Sequence, residues 1–399
     1  MSKDDQIKGC EENLLHVYNR FSVVFDHGKG YYLYDCDGKE YLDFGSGIGV
    51  MAFGYADPEF TDAIKAQADK ILHTSNLYYH TALADAAEKI CHVSGMDKVF
   101  FTNSGAEAIE GALKTAKKYF YKKNGRSGAR ITAMEHSFHG RTVGAVSVTG
   151  NPHYREAFYP LMDGVDFAQF NNYDSVLATV SDDTCAILLE TVQGEGGIHP
   201  ADREFLQKVR VLCDERDILL IVDEIQCGLG RCGSMYAFTE YDIRPDILCS
   251  AKALGSGIPV GAFLVTSEVA ASSLEPGDHG STYGGNPLAC AAVSASLGIL
   301  EGRDLPTYVK KTAPYLESRL QELVSKYDFI IERRGRGFMQ GLQLDEKIPV
   351  GQIVTEALEA GLVILSAGGN TIRLLPPLIM DEAGIDKMIV LLDGILSAH

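Results

Sequence analysis

The chain has 399 residues, 46% hydrophobic and 23% charged, which fits a globular protein with a large core and excludes a mainly disordered or fibrous one. Its 36 Lys and Arg against 54 Asp and Glu give a net charge of −18, which disfavours binding to nucleic acid or to an anionic membrane. Nine scattered cysteines, no signal-like N-terminus and no apolar run long enough to span a bilayer predict a cytoplasmic protein with reduced thiols.

Residues 20–50 predict short antiparallel strands. Aromatic and aliphatic side chains dominate 30–34 and 40–44, and Asp, Cys and Gly occupy the segment 35–38 between them. Two such runs joined by a short turn indicate a hairpin.

The middle of the chain alternates short apolar runs with amphipathic segments. Apolar side chains recur on one face of the predicted helices 106–123 and 202–216. The apolar runs are typical of buried strands in a mostly parallel sheet, and they lie at 99–101, 186–189, 218–222, 247–249 and 261–265. Strands and helices in this order predict an α/β domain.

The last hundred residues predict a smaller α+β domain. Helical patterns lie at about 306–326, 351–361 and 381–397, and short strands are indicated near 329–344 and 372–375. No internal repeat and no long linker rich in Pro or Ser separates the parts of the chain, so we expect them to pack against one another.

Familiar site motifs are absent or stand in the wrong context. The segment 228–233 fits Gly-x-Gly-x-x-Gly, but it does not open a helix directly after a strand, as a dinucleotide-binding fingerprint must. The sequence has no Walker phosphate-loop pattern. His136 and His139 form a His-x-x-His pattern, but without a nearby set of carboxylate ligands we predict no metal site.

The segment 103–107, Asn-Ser-Gly-Ala-Glu, stands between a predicted strand and a predicted helix. Free N–H groups at a helix start, beside small residues that let a ligand approach, form an anion-binding cup. The same residues also fit an ordinary capping box, with Ser104 as the cap and Glu107 three residues later. The sequence leaves both interpretations open.

Two charged side chains follow buried strands. Asp223 comes directly after the apolar run 218–222, at the sheet edge where α/β proteins bind ligands, although it could instead pair with an Arg or cap the backbone. Lys252 lies at the end of the next strand, before a segment rich in small residues. Burial there favours the free amine that a Schiff base requires, whereas a surface Lys would stay a solvated cation.

An aromatic and two arginines complete the candidate site. Phe138 can stack on a planar ring, and Arg141 and Arg373 are candidate forks for carboxylates, although each could instead form an ion pair within the protein. A phosphate cup, a strand-end Asp, a strand-end Lys and a stacking aromatic together match the requirements of pyridoxal phosphate.

With these motifs in this order, the chain resembles the class III aminotransferases of fold type I from about residue 15 to its C-terminus. The resemblance rests on six motifs: NSGAE at 103–107, SFHGRT at 137–142, QGEGG at 193–197, DEIQCGLGR at 223–231, AKALG at 251–255 and HGSTYGGNPLA at 279–289. It implies a large domain with a mostly parallel seven-stranded sheet, and a smaller α+β domain built from both chain ends. The expected limits are 1–60 for the N-terminal segment of the small domain, 61–300 for the large cofactor-binding domain and 301–399 for the C-terminal part.

The resemblance also implies a role for each matching residue. Lys252 and Asp223 would be catalytic: Lys252 would hold pyridoxal phosphate as a Schiff base and shuttle the proton, and Asp223 would pair with the pyridine nitrogen. Phe138 and Ile225 would cover the two ring faces, and Gln226 would bond the ring hydroxyl. The implied cofactor-binding set is Gly105, Ala106, Phe138, Asp223, Glu224, Ile225, Gln226, Lys252 and Thr282. The implied substrate-binding set is Arg141, Glu195, Ser281 and Arg373.

The implied reaction is transfer of the distal amine of N2-acetylornithine to 2-oxoglutarate, a step of arginine biosynthesis, in a homodimer whose Thr282 reaches the partner's phosphate site. Arg141 would bind the substrate α-carboxylate, and Glu195 would neutralise Arg373 until the keto acid arrives. Ornithine-specific relatives place a Tyr where this chain has Ile48, and an apolar residue suits an acylated amine better than an ammonium. An ornithine, succinylornithine or 4-aminobutyrate aminotransferase and, less favoured, an aminomutase stay open as alternatives.

Overall fold

A seven-stranded sheet forms the centre of the computed structural model, which describes residues 2–399. In spatial order its strands are Lys98–Thr102, Gly261–Val265, Ile247–Ser250, Leu219–Asp223, Thr184–Glu190, Arg130–Met134 and Val165–Ala168. Gly261–Val265 runs antiparallel to both neighbours, and all the other pairs are parallel. This confirms the predicted α/β fold, and each predicted strand of the sheet lies within two residues of the observed limits.

Helices cover both faces of this sheet, which is why its strands are almost wholly apolar. In the helix Gly105–Asn124, Ile109, Leu113 and Phe120 are buried on one face, as the periodicity predicts. A Cβ at Gly111 would come within 2.2 Å of the Phe263 ring, so glycine lets this helix lie directly on the sheet. Other helices of this region are Pro58–Ala68, Thr81–Ser94, Val143–Ser147, Tyr173–Thr179, Arg203–Arg216, Ser267–Ser272 and Pro287–Gly302.

The two chain ends meet in one small sheet. Its strands are Phe25–Lys29, Tyr32–Asp35, Glu40–Asp43 and, from the C-terminal part, Leu362–Val363. The predicted hairpin is confirmed, since Tyr32–Asp35 pairs antiparallel with Glu40–Asp43. Its first strand begins two residues later than predicted, because Gly30 takes a left-handed φ of 58° and turns the chain between the first two strands. Leu42 donates its N–H to Gly361 O at 2.8 Å, which ties the two ends together.

The C-terminal part adds a second four-stranded sheet, antiparallel throughout. Its strands are Ile330–Arg336, Met339–Leu344, Thr371–Leu374 and Leu365–Ala367. It is accompanied by the helices Leu305–Lys326, Val350–Glu359 and Glu382–Leu396, close to their predicted limits. The domain limits 1–60, 61–300 and 301–399 stay a prediction. Across residues 2–399, no helix has both the length and the apolar character needed to cross a bilayer.

Candidate active site

A cavity of about 300 Å³ opens at the carboxyl ends of the central strands, the edge at which α/β folds bind ligands. This volume lies at the lower end of the range of roughly 300–1,000 Å³ seen for small-molecule pockets. The cavity brings together most of the predicted cofactor residues, which come from separate strand ends. Its lining is formed by Val50, Asn103, Ser104, Gly105, Ala106, Phe138, His139, Gly140, Glu190, Glu195, Asp223, Ile225, Gln226, Ala251, Lys252 and Gly257–Val260.

The residues of the predicted anion cup also form a helix cap. The Ser104 hydroxyl caps the helix by accepting the Glu107 N–H at 3.2 Å, and the Glu107 carboxylate accepts the N–H of Asn103 at 2.8 Å. Glu107 therefore reaches back to Asn103 and not to the capping residue. Gly105 and Ala106, the first two helical residues, line the cavity, so their N–H groups and the positive end of the helix dipole suit a phosphate.

Asp223 ends its strand as a buried carboxylate with two donors. Ile225 donates its backbone N–H to Asp223 Oδ1 at 3.0 Å, and His139 Nδ1 lies 2.8 Å from Asp223 Oδ2. His139 is buried, and its Nε2 has no hydrogen-bond partner in the described part of the chain. Of the two histidines in the His-x-x-His pattern, His139 therefore positions the Asp223 carboxylate. Sequence reasoning considered His139 only as a metal ligand.

A second buried carboxyl, Glu190, was missed by the sequence reasoning. It is the register partner of Asp223 on the neighbouring strand, and its oxygens accept N–H bonds from Phe138 at 3.2 Å and Gly194 at 3.3 Å. Burial, and then the charge of Asp223, hold the pKa of Glu190 well above its ordinary value. Glu190 therefore ties the Phe138 segment to the loop that carries Glu195.

Lys252 begins a short turn directly after its strand, with a left-handed φ of 49°. Burial lowers the pKa of its amine to about 8, an effect that the Glu195 carboxylate opposes and the Arg373 guanidinium reinforces. Below a pH of about 8 the amine is mostly charged, and above it the free base dominates. An amine with this pKa suits both bond formation with an aldehyde and proton transfer near neutral pH.

Glu195 and Arg373 form an ion pair beside the cavity. Arg373 Nη1 donates to Glu195 Oε1, and Gln226 joins both partners at 3.3 Å through its amide nitrogen and oxygen. Burial raises the pKa of Glu195, but the charge and hydrogen bond of Arg373 outweigh it and leave this pKa below its ordinary value. Arg373 is only 4% exposed, and its Nε has no partner among the described residues. The pair therefore keeps a buried guanidinium neutralised.

Arg141 lies in a neighbouring cavity of about 480 Å³ and not in the first one. Its guanidinium stands 4.1 Å from the Tyr154 ring centroid and 5.3 Å from that of Phe138. Phe138 lines the first cavity, so Arg141 holds a positive charge just outside it, behind an aromatic wall. The other residues around Arg141 are mostly apolar: Val17, Tyr18, Val143, Val146, Tyr154 and Phe158.

Besides Arg141 and Arg373, three predicted residues lie outside the cavity. The Ser281 hydroxyl accepts the Asn103 amide N–H at 3.1 Å, and Thr282 is exposed in a separate crevice. Glu224 does not line the cavity, and its carboxylate accepts the N–H groups of Ala237 and Phe238 at 2.6 Å, so its role in cofactor binding stays a prediction. Asp223 lines the cavity, whereas the next residue, Glu224, does not.

The sequence matches a known protein family over most of its length. The family model of class-III aminotransferases matches residues 16–396. An acetylornithine aminotransferase of Methanocaldococcus jannaschii is 45% identical over 397 residues, covering 100% of this chain and 99% of the relative. One of Clostridium acetobutylicum is 45% identical over 375 residues, covering 94% and 96% of the two chains.

Solved structures agree with this relationship. The crystal structure of ornithine aminotransferase from Toxoplasma gondii has a TM-score of 0.95 at 29% identity and covers 100% of this chain and 96% of its own. That of acetylornithine aminotransferase from Elizabethkingia anophelis has a TM-score of 0.89 at 30% identity and covers 100% of both chains.

Proposed function

The chain belongs to the class-III aminotransferase family, and from this premise we propose that it uses pyridoxal phosphate to transfer the distal amine of N2-acetylornithine to 2-oxoglutarate. The products are N-acetylglutamate 5-semialdehyde and glutamate, as in arginine biosynthesis. The observation that carries the proposal is the meeting of Lys252, Asp223 and a helix N-terminus in one cavity. Full-length relatives named for acetylornithine support the choice of donor.

The residues of the cavity fit pyridoxal phosphate. Asp223 offers a buried carboxylate to the pyridine nitrogen, and Gly105 and Ala106 offer helix N–H groups to the phosphate. A Cβ on Gly105 would lie 2.8 Å from Ile225 Cδ1, so glycine lets Ile225 pack close to the phosphate cup. When bound, this cofactor supplies an electron sink that stabilises negative charge on the substrate carbon bearing the amine.

Each side chain of the site then has a role that follows from its position. Lys252 Nζ takes the proton from the substrate carbon that bears the amine, and a pKa of about 8 lets it accept and return that proton near neutral pH. Asp223 keeps the cofactor's ring nitrogen protonated, while His139 and the Ile225 N–H hold its carboxylate in place. Phe138 and Ile225 exclude water from the two ring faces.

Two substrates of different charge use the site in turn. For the acylated donor, Arg141 binds the α-carboxylate and the ion pair of Glu195 with Arg373 stays closed, so the distal amine meets a neutralised guanidinium. For 2-oxoglutarate, Glu195 moves aside and Arg373 binds the α-carboxylate. The buried Nε of Arg373, which has no partner within residues 2–399, supports this second role.

We infer a homodimer in which Thr282 serves the partner's phosphate site. Asn76 donates from its amide to Ser281 O at 3.0 Å and to Gly284 O at 2.9 Å, so two exposed segments meet next to Thr282. Leu77, Tyr79 and Tyr283 leave large apolar surfaces exposed on these segments, which favours burial against a second copy. We also propose that the protein works in the cytoplasm.

The donor preference is tested at Ile48, which is 44% exposed and takes a left-handed φ of 67°, a strained conformation for a β-branched residue. We expect the wild-type enzyme to have a higher kcat/KM for acetylornithine than for ornithine, succinylornithine or 4-aminobutyrate. Ile48→Tyr would supply a hydroxyl for the free ammonium of ornithine and raise the ornithine-to-acetylornithine ratio roughly tenfold, as expected for one hydrogen bond to a charged group. Steady-state assays of both proteins measure this ratio.

Ile331→Tyr, at an exposed position outside the cavity, is the matched control and should leave the ratio unchanged. A wild-type enzyme that prefers ornithine would contradict the interpretation of Ile48. Turnover that continues without any keto acid would instead indicate an aminomutase.

A further inference from the structure

The loop 194–197, which carries Glu195, packs backbone against backbone on the segment that leads to Arg373. Gly368 donates its N–H to Glu195 O at 2.9 Å. A Cβ at Gly368 would lie 2.9 Å from that oxygen, and one at Gly197, with its φ of 120°, would lie 2.8 Å from Gly368 O. The contact therefore needs glycine on both sides, and it fixes the backbone on each side of the ion pair.

Arg334 spans this contact with a single guanidinium. Its Nε and Nη2 donate to Gly197 O at 3.1 and 2.8 Å, and Nη2 also donates to Thr371 Oγ1 at 3.1 Å. Gly197 belongs to the loop of Glu195, and Thr371 stands two residues before Arg373 on the same strand. The Nη1 of Arg334 donates to Glu332 and Gln343, and only 10% of the Arg334 side chain is exposed.

We propose that Arg334 is a positioning residue that holds the Glu195 loop in register with Arg373 and so sets the balance between the two half-reactions. The proposal rests on the function proposed above, in which Glu195 must release Arg373 for the keto acid and cover it again for the acylated donor. With both backbones fixed, this exchange needs only a side-chain rotation, and the closed pair re-forms at small entropic cost.

Loss of Arg334 would free the loop and weaken the closed pair. Arg373 would then stand uncovered more of the time, which favours dicarboxylates and disfavours a donor that needs a neutralised site. The effect should therefore appear as a shift between the two substrates and not as a uniform loss of activity.

Arg333 provides a matched control on the same strand. Its guanidinium points to the opposite face, where Nη1 donates to Gln340 Oε1 at 2.7 Å and Nη2 lies 3.7 Å from Glu317. Arg334→Met and Arg333→Met each remove one partly buried guanidinium and keep the aliphatic stem. A stability change that both variants share can then be separated from any effect on the ion pair of Glu195 with Arg373.

The test measures the kcat/KM of acetylornithine and of 2-oxoglutarate in one steady-state series, since each value reports its own half-reaction when the two substrates react in turn. Arg334→Met is expected to lower the acetylornithine value relative to the 2-oxoglutarate value roughly tenfold, a change equivalent to one charge-assisted hydrogen bond. Calorimetric titration of each holoenzyme with glutarate, an unreactive dicarboxylate, should show tighter binding to Arg334→Met than to the wild type. Arg333→Met should match the wild type in both measurements.

Arg334→Lys serves as the second variant if the methionine variant does not fold. A lysine is a point charge without the planar fork, so it should give a shift in the same direction but of smaller size. Unchanged ratios and unchanged glutarate affinity in the folded Arg334 variants would overturn the inference and leave the proposed function intact. A wild-type enzyme that does not use acetylornithine would reject the proposed function, and the glutarate titration would still decide the role of Arg334.

Discussion

Lys252→Ala is expected to lower kcat by at least roughly 10⁴-fold, since in the proposed mechanism Lys252 supplies both the amine that bonds the cofactor and the base that moves the substrate proton. The chain should still fold, because the change removes an amine that burial already destabilises as a cation. Steady-state assays and thermal unfolding of the same preparation separate the two effects.

Lys311→Ala, on the exposed side of the helix Leu305–Lys326, is the control and should keep full activity. Ethylamine added to the Lys252 variant should restore part of the rate if the missing group is a base. A variant that keeps more than about a hundredth of the wild-type kcat would contradict the assignment, because general-base catalysis alone supplies about 10²–10⁴-fold.

Asp223→Asn is expected to lower kcat about 10²–10³-fold, the range found when one charged or polar group that stabilises a transition state is removed. The amide keeps the shape of the side chain and can still accept the Ile225 N–H, but it cannot hold a proton on a pyridine nitrogen. It also loses the anionic oxygen that faces His139. The kcat and the absorbance spectrum of the bound cofactor should change together.

Asp246→Asn is the matched control at the opposite edge of the same sheet. Asp246 precedes its strand, accepts the Leu220 N–H at 2.7 Å and pairs with Arg210 at 2.8 Å, so its loss should lower the thermal midpoint but not kcat. An Asp223→Asn enzyme within about tenfold of the wild-type kcat would show that this carboxylate is not the expected electrostatic partner.

Much of the fold could be predicted because the central strands are apolar along their whole length. A strand buried on both faces needs no alternation of polar and apolar residues, so the apolar run 218–222 continues to the sheet edge. The charged residue that ends it, Asp223, can therefore be recognised from the sequence. The match to the requirements of pyridoxal phosphate predicted that Lys252 and the helix start at 105 share one site, and both line the same cavity.

The rest of the site depends on contacts between distant segments. Glu190 also follows an apolar run, but only strand pairing shows that it lies beside Asp223. The alternation of side chains along an extended chain could have separated Asp223 from Glu224, since neighbours point to opposite sides. Nothing local distinguishes Arg334 from Arg333, because their partners belong to different segments of the chain.

Borohydride reduction of the holoenzyme, followed by peptide mapping, tests the central claim most directly. Reduction makes permanent any bond between the cofactor's aldehyde carbon and a lysine. We predict a pyridoxyl mass increment on the peptide that contains Lys252 and on no other lysine peptide. An increment on a different lysine, or none at all in an enzyme that binds the cofactor, would contradict the assignment of Lys252 and the mechanism built on it.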